Sequence, residues 1–102
     1  MKTITAEELK SKKESGENYR LLDVREPAEF AESNLGGLLF PLGKIVEFQI
    51  DDISDWKDDE VIVYCRSGAR SMRACMILEQ AGFTNVANLT GGILEWQRNF
   101  GS

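Results

Sequence analysis

The segment that most restricts the fold is Glu60 to Tyr64 (EVIVY), because a β-branched apolar run without polar alternation belongs to a strand covered on both faces. Such a strand lies inside a sheet with helices on either side. The residues after it agree: Cys65 to Gly68 reads as a turn, and Ala69 to Ala81 as a helix stopped by Gly82. On that helix Ser71, Ala74, Cys75, Leu78 and Ala81 share one face, while Arg70, Arg73 and Gln80 lie opposite.

The rest of the chain repeats the alternation. Thr5 followed by Glu8 forms a capping box that predicts a helix from Ala6 to Glu14, ending at Gly16. Tyr19 to Val24 (YRLLDV) reads as a strand, and Glu26-Pro27 starts a short helix through Phe30. After the break at Gly36-Gly37, Leu38 to Phe40 is consistent with a short strand and Lys44 to Phe48 with a helical turn or two. Val86 to Leu89 is a further strand, and Gly91-Gly92 leads into a last helix with Ile93, Trp96 and Phe100 on one face. The class is therefore α/β, with a mostly parallel four- to five-stranded sheet flanked by helices on both faces. At 102 residues, without repeats or a linker-like shift in composition, residues 1–102 read as one domain.

The net charge of −5 is unevenly placed, since Asp51 to Glu60 holds six acidic residues and one Lys and the remainder is neutral. This block reads as a solvated loop; the competing reading, an acidic docking patch, requires salt-sensitive association. No basic stripe is present to neutralise phosphates, which argues against nucleic acid as a partner. No apolar run reaches membrane-spanning length, and the Met1 end lacks the apolar core of a signal peptide, so a cytoplasmic location is expected.

The chain contains no His and two Cys, Cys65 and Cys75. A Ser-His-Asp triad, a Cys-His pair and any His-containing zinc site are excluded, and two Cys are too few for a thiolate-only structural site or a disulfide framework. Chemistry must rely on Cys, Arg, carboxylates, hydroxyls and backbone, and no metal or organic cofactor is implied.

Cys65 stands where a strand meets a helix, at the edge where open α/β sheets place their ligands. The residues behind it, Arg66-Ser67-Gly68-Ala69-Arg70-Ser71, curl into an anion cradle of backbone N–H groups, with Gly68 permitting the turn. The helix dipole and the guanidinium groups of Arg66 and Arg70 are expected to favour thiolate over thiol. A free Cys is commonly just a small buried hydrophobe, but a core Cys has no use for two Arg, a Gly and two Ser in the next six positions. For Arg70, on the outward helix face, a plain surface charge is a stronger competing reading than for Arg66. Cys75 lies nearly three turns further on, roughly 15 Å at 1.5 Å per residue, on the face expected to be buried, and reads as core.

Several linked motifs in order, LLDVREPAEF (Leu21 to Phe30), CRSGARS (Cys65 to Ser71), GF-x-NV (Gly82 to Val86) and NLTGGILEW (Asn88 to Trp96), resemble the single-domain rhodanese family along nearly the whole chain. The resemblance implies a rhodanese-like fold and a sulfurtransferase cycle, in which Cys65 takes sulfur from a donor as a persulfide and passes it to cyanide or a thiol. It also implies that the backbone from Arg66 to Ser71 holds the sulfur while the Arg side chains steer a small anionic donor such as thiosulfate. Asp23 and Arg25 match the family's Asp-x-Arg and are expected to pair in a supporting role near the mouth of the site. One departure stands out: where the family usually shows Gly-His-Ile and a small-residue turn, this chain has Ser33-Asn34-Leu35-Gly36-Gly37. The missing His is not the family's sulfur carrier, so the departure concerns local turn geometry.

Two other functions compete. Cys-x5-Arg phosphatases use a similar cradle, but here four residues separate Cys65 from Arg70 and the Cys-x5 position is Ser71, a loop short for a phosphoryl group. Arsenate reduction, which also uses Cys and Arg, has no positive support. A binding module or relay delivering sulfur to a protein acceptor would use the same fold. An inactive module is expected to lose its Cys, and Cys65 is intact.

Overall fold

The computed structural model describes residues 1–101 and runs β1 (Lys2–Ile4), α1 (Ala6–Ser15), β2 (Arg20–Asp23), α2 (Pro27–Glu32), β3 (Leu38–Leu39), α3 (Leu42–Val46), a 3₁₀ helix (Asp51–Trp56), β4 (Val61–Tyr64), α4 (Ala69–Gln80), β5 (Val86–Leu89) and α5 (Gly92–Phe100). The strands form one sheet in the order β1-β5-β4-β2-β3, and every neighbouring pair is parallel. Buried β4 lies at its centre, as its unbroken apolar pattern requires.

Successive β4 side chains point to opposite faces and seed two cores. Val61 and Val63 join Leu22, Ile45, Ala74 and Leu78 on the side of α3 and α4. Ile62 and Tyr64 join Leu9, Ala87, Leu89 and Ile93 on the side of α1 and α5. Helix α1 begins at the expected capping box, with Glu8 N–H donating to Thr5 Oγ1 at 3.1 Å and Thr5 N–H to Glu8 Oε1 at 2.9 Å. It ends at Gly16 in the left-handed conformation, φ 73°. Among the described residues no helix is long and apolar enough to cross a membrane.

Two elements differ from the expectation. Strand β1 has no counterpart in the sequence pattern: it is three residues long, too short for visible alternation, and forms by pairing Lys2 with Ala87 and Ile4 with Leu89. The acidic segment is not simply a loop, because Asp51–Trp56 winds into a 3₁₀ helix that buries Ile53 and packs Trp56 against the core three residues later. Its carboxylates still face solvent or surface cations, with Asp59 on Arg20 at 3.1 Å and Glu60 on Lys12 at 2.8 Å.

The connections out of β2 and β4 run in opposite directions, β2 toward β3 and β4 toward β5. The two strands are adjacent, so a crevice opens beyond their C-terminal ends. Asp23 and Cys65 stand at that switch point. Ile62→Ala, which leaves a void in the middle of the sheet, is expected to destabilise the fold by about 2–5 kcal/mol in urea unfolding with an unchanged m-value.

Candidate active site

Cys65 follows β4 directly and is only 1% exposed. Its Sγ accepts hydrogen bonds from Gly68 N–H at 3.1 Å, from Ser71 N–H at 3.4 Å and from the Ser71 hydroxyl at 3.4 Å. The loop can curl this tightly because Gly68 takes φ 112°, which side chains disfavour. Burial pushes the Cys65 thiol up, but the Ser71 hydroxyl and the N–H groups of Ser71, Gly68 and Ser67 outweigh it and hold the thiol below the ordinary cysteine value. Cys75, on the buried face of α4, has no such donors, and burial pushes it up to about 12.

The cradle is braced from two sides. Asn88, a buried polar residue in the otherwise apolar β5, donates from Nδ2 to the Gly68 carbonyl at 3.3 Å and accepts the Ser71 hydroxyl on Oδ1. With its amide reversed, its oxygen would face the Gly68 carbonyl, so this contact fixes the orientation. The Ser71 hydroxyl has one proton and three acceptors in reach: Asn88 Oδ1, the Gly68 carbonyl at 3.1 Å and Cys65 Sγ. From the other side, Ile93 N–H donates to the Cys65 carbonyl at 3.0 Å and Leu94 N–H to the Arg66 carbonyl at 3.1 Å. Two of the free N–H groups of the first turn of α5 are thus used in holding the loop.

Neither arginine touches the sulfur, and Arg70 acts on it through its charge alone. Arg70 turns away from the sulfur to Glu29 on α2 in a two-pronged pair, NH1 to Oε1 at 2.7 Å and NH2 to Oε2 at 2.8 Å. Arg66 is exposed and makes no ion pair among the described residues. Neither guanidinium hydrogen-bonds the thiol; the backbone and Ser71 supply that role. Ser67 and Ala69 are exposed on the outer side of the loop, whereas Gly68 and Ser71 are buried within it.

Asp23 and Arg25 form the expected pair and bury it, at 0% and 3% exposure. Arg25 Nε meets Asp23 Oδ1 at 2.9 Å, and its NH2 group bridges Asp23 Oδ2 and the Ser33 carbonyl, each at 2.7 Å. This ties β2 to the turn from which the family His is missing. Asn34 rebuilds that turn, accepting from Gly36 N–H at 2.8 Å and donating to the Phe30 carbonyl at 3.0 Å. Tyr64 accepts from Leu35 N–H at 3.0 Å and donates to the Gly36 carbonyl at 3.1 Å. Among the described residues no cluster of three or more His, Cys, Asp and Glu is placed to hold a metal ion.

Glu29, Asn88 and Gly92 join the site without being evident as site residues in the sequence. Asn88 carries a usable sign, an amide inside an apolar strand; Glu29 carries none, since its partner is 41 residues away. Gly92 sits at φ 60°, and an added Cβ would come within 2.5 Å of the Arg66 carbonyl oxygen and 2.6 Å of the Cys65 carbonyl oxygen. Gly92→Ala must therefore push the loop. The expected outcome is a stability loss of about 1–3 kcal/mol together with a roughly tenfold slower alkylation of Cys65 at neutral pH.

The rhodanese-like domain family matches residues 5–99. A sulfurtransferase of Allochromatium vinosum is 38% identical over 96 residues, covering 94% of this chain and 88% of its own. The putative sulfurtransferase YtwF of Bacillus subtilis is 37% identical over 102 residues, covering 95% of this chain and 91% of its own. The solved structure of the human single-domain sulfurtransferase TSTD1 superposes with a TM-score of 0.81 at 26% identity, covering 96% of each chain. With the family model matching nearly the whole chain and full-length relatives 37–38% identical, the chain belongs to the rhodanese-like family.

Proposed function

We propose that this protein is a sulfurtransferase that carries sulfane sulfur as a persulfide on Cys65, with thiosulfate as a competent donor and cyanide or a thiol as acceptor. The observation that carries the reading is the ring of donors, Gly68 N–H, Ser71 N–H and the Ser71 hydroxyl, converging on one buried sulfur. Donors so placed favour an anion on that atom, and a thiolate is the nucleophile that attacks sulfane sulfur without a His base.

In the first half-reaction the Cys65 thiolate attacks the outer sulfur of thiosulfate. A new S–S bond forms, the old one breaks, and sulfite leaves with the bonding pair. The added sulfur, about 2 Å beyond Sγ, is itself anionic. In the second half-reaction cyanide or a thiolate attacks this outer sulfur and the Cys65 thiolate departs, leaving thiocyanate or a new persulfide. Arg66, exposed beside the loop, is suited to meeting an anionic donor; a protein bearing an acceptor thiol would take sulfur by the same step. A cytoplasmic location is consistent with both reactions.

Thiosulfate should add about 32 Da to the wild-type protein, cyanide should remove it, and Cys65→Ser should abolish the gain. Cys75→Ser should leave most of the transfer intact, because burial keeps that thiol protonated. Equal losses from the two substitutions would contradict the assignment. Ser71→Ala removes the hydroxyl that helps lower the Cys65 pKa, so the midpoint of alkylation rate against pH should move upward. At neutral pH the rate should fall about fivefold, the equivalent of one hydrogen bond of about 1 kcal/mol, and recover as pH rises.

A further inference from the structure

Resting on the reading of Cys65 as sulfur carrier, we propose that Glu29 is a specificity-determining residue: by occupying Arg70 it disfavours doubly charged anionic donors relative to neutral ones. Arg70 stands in the first turn of α4, five residues beyond Cys65. Its proton affinity is raised first by Glu29 and, after that, by the Cys65 thiolate, so the guanidinium lies within electrostatic reach of the sulfur. Yet both of its terminal nitrogens are committed to Glu29, at 2.7 and 2.8 Å. Such fork-to-fork pairing uses the donor geometry that would otherwise grip an oxyanion.

The arrangement is built in from the α2 side as well. Glu29 Oε1 also accepts from Glu26 N–H at 3.0 Å, closing the cap of α2, so the carboxylate is held in place rather than sampling solvent. Arg70 keeps it ionised, with a pKa lowered to about 2. The second guanidinium of this edge, Arg25, is likewise spent on Asp23 and the Ser33 carbonyl. The cleft beside the loop, about 180 Å³, is lined by Arg25, Arg66, Glu29 and Glu32 among others, so its charges balance. A thiosulfate dianion there meets carboxylates as well as cations, whereas a neutral donor is indifferent to both.

Glu29→Gln tests this, because it keeps the shape and an acceptor for the cap and for Arg70 but drops the charge. Rates of the first attack by Cys65 would be read by intact mass with thiosulfate, where a persulfide forms and sulfite leaves, and with a neutral organic trisulfide, where attack on the central sulfur forms a Cys65 mixed trisulfide and an alkanethiolate leaves. Preference for thiosulfate over the trisulfide should rise roughly threefold to tenfold and shrink at high salt, as a field effect must. In the double variant Glu29→Gln/Arg70→Gln the gain should vanish, since the freed guanidinium causes it. If both donors change alike, Glu29 serves only the loop, and if the preference survives loss of Arg70, the Glu29 charge acts directly on the donor; either result overturns the proposal. Competition by inorganic sulfate against alkylation with neutral iodoacetamide gives a second readout, expected to strengthen in Glu29→Gln; unchanged competition would also overturn it. Absence of any Cys65 adduct from both donors in the wild type would instead remove the sulfur-carrier reading itself.

Discussion

Holding Cys65 at 1% exposure while the donors around it favour its thiolate sets the terms for the whole crevice. Burial opposes the charge, and a site without His has no neighbouring imidazolium to counter it. What remains is the Ser71 hydroxyl and the peptide backbone. Curling residues 65–71 so that several N–H groups point at one atom needs a left-handed glycine at 68, and it leaves the loop's carbonyls facing outward. Those of Cys65 and Arg66 find partners in the first turn of α5, and that of Gly68 finds one in Asn88. The cradle is thus assembled from β4, α4, β5 and α5 together.

The sheet order puts those elements within reach of one another. Because β2 and β4 are neighbours whose connections diverge, the space beyond their ends stays open, and the loops leaving them face each other across it. The Arg25 anchor reaches from the end of β2 to the Ser33 turn, and Glu29 reaches from α2 to α4. Each interaction joins separate segments of the chain. Loss of one contact should therefore be felt first as a misplaced loop and only later as a lost fold.

Much of this is legible in the sequence wherever a pattern is local. The capping box at Thr5 and Glu8, the run EVIVY and the burial of Ser71, Ala74, Cys75 and Leu78 can be read from spacing alone, and each is found as expected. The Asp23 and Arg25 pair is legible from the motif. What escapes is non-local: β1 exists only because β5 is there to pair with it, and the terminal nitrogens of Arg70 are engaged by a residue 41 positions earlier. An arginine near a cysteine in sequence says nothing about which carboxylate competes for it. The turn without the family His illustrates the same limit, since Asn34 supplies a local hydrogen bond but the rest of its support comes from Tyr64 on β4.

The acidic block that runs into the start of β4 has a consequence for the molecule as a whole. Cys65 leaves the same strand at its other end, and four extended residues at about 3.3 Å each separate the two. Since residues outside the block sum to zero charge, the whole net charge of −5 is carried by the segment that leads into the end of β4 opposite Cys65. An anion approaching from solution therefore meets net repulsion at that segment, while the charges on the rest of the chain cancel in sum.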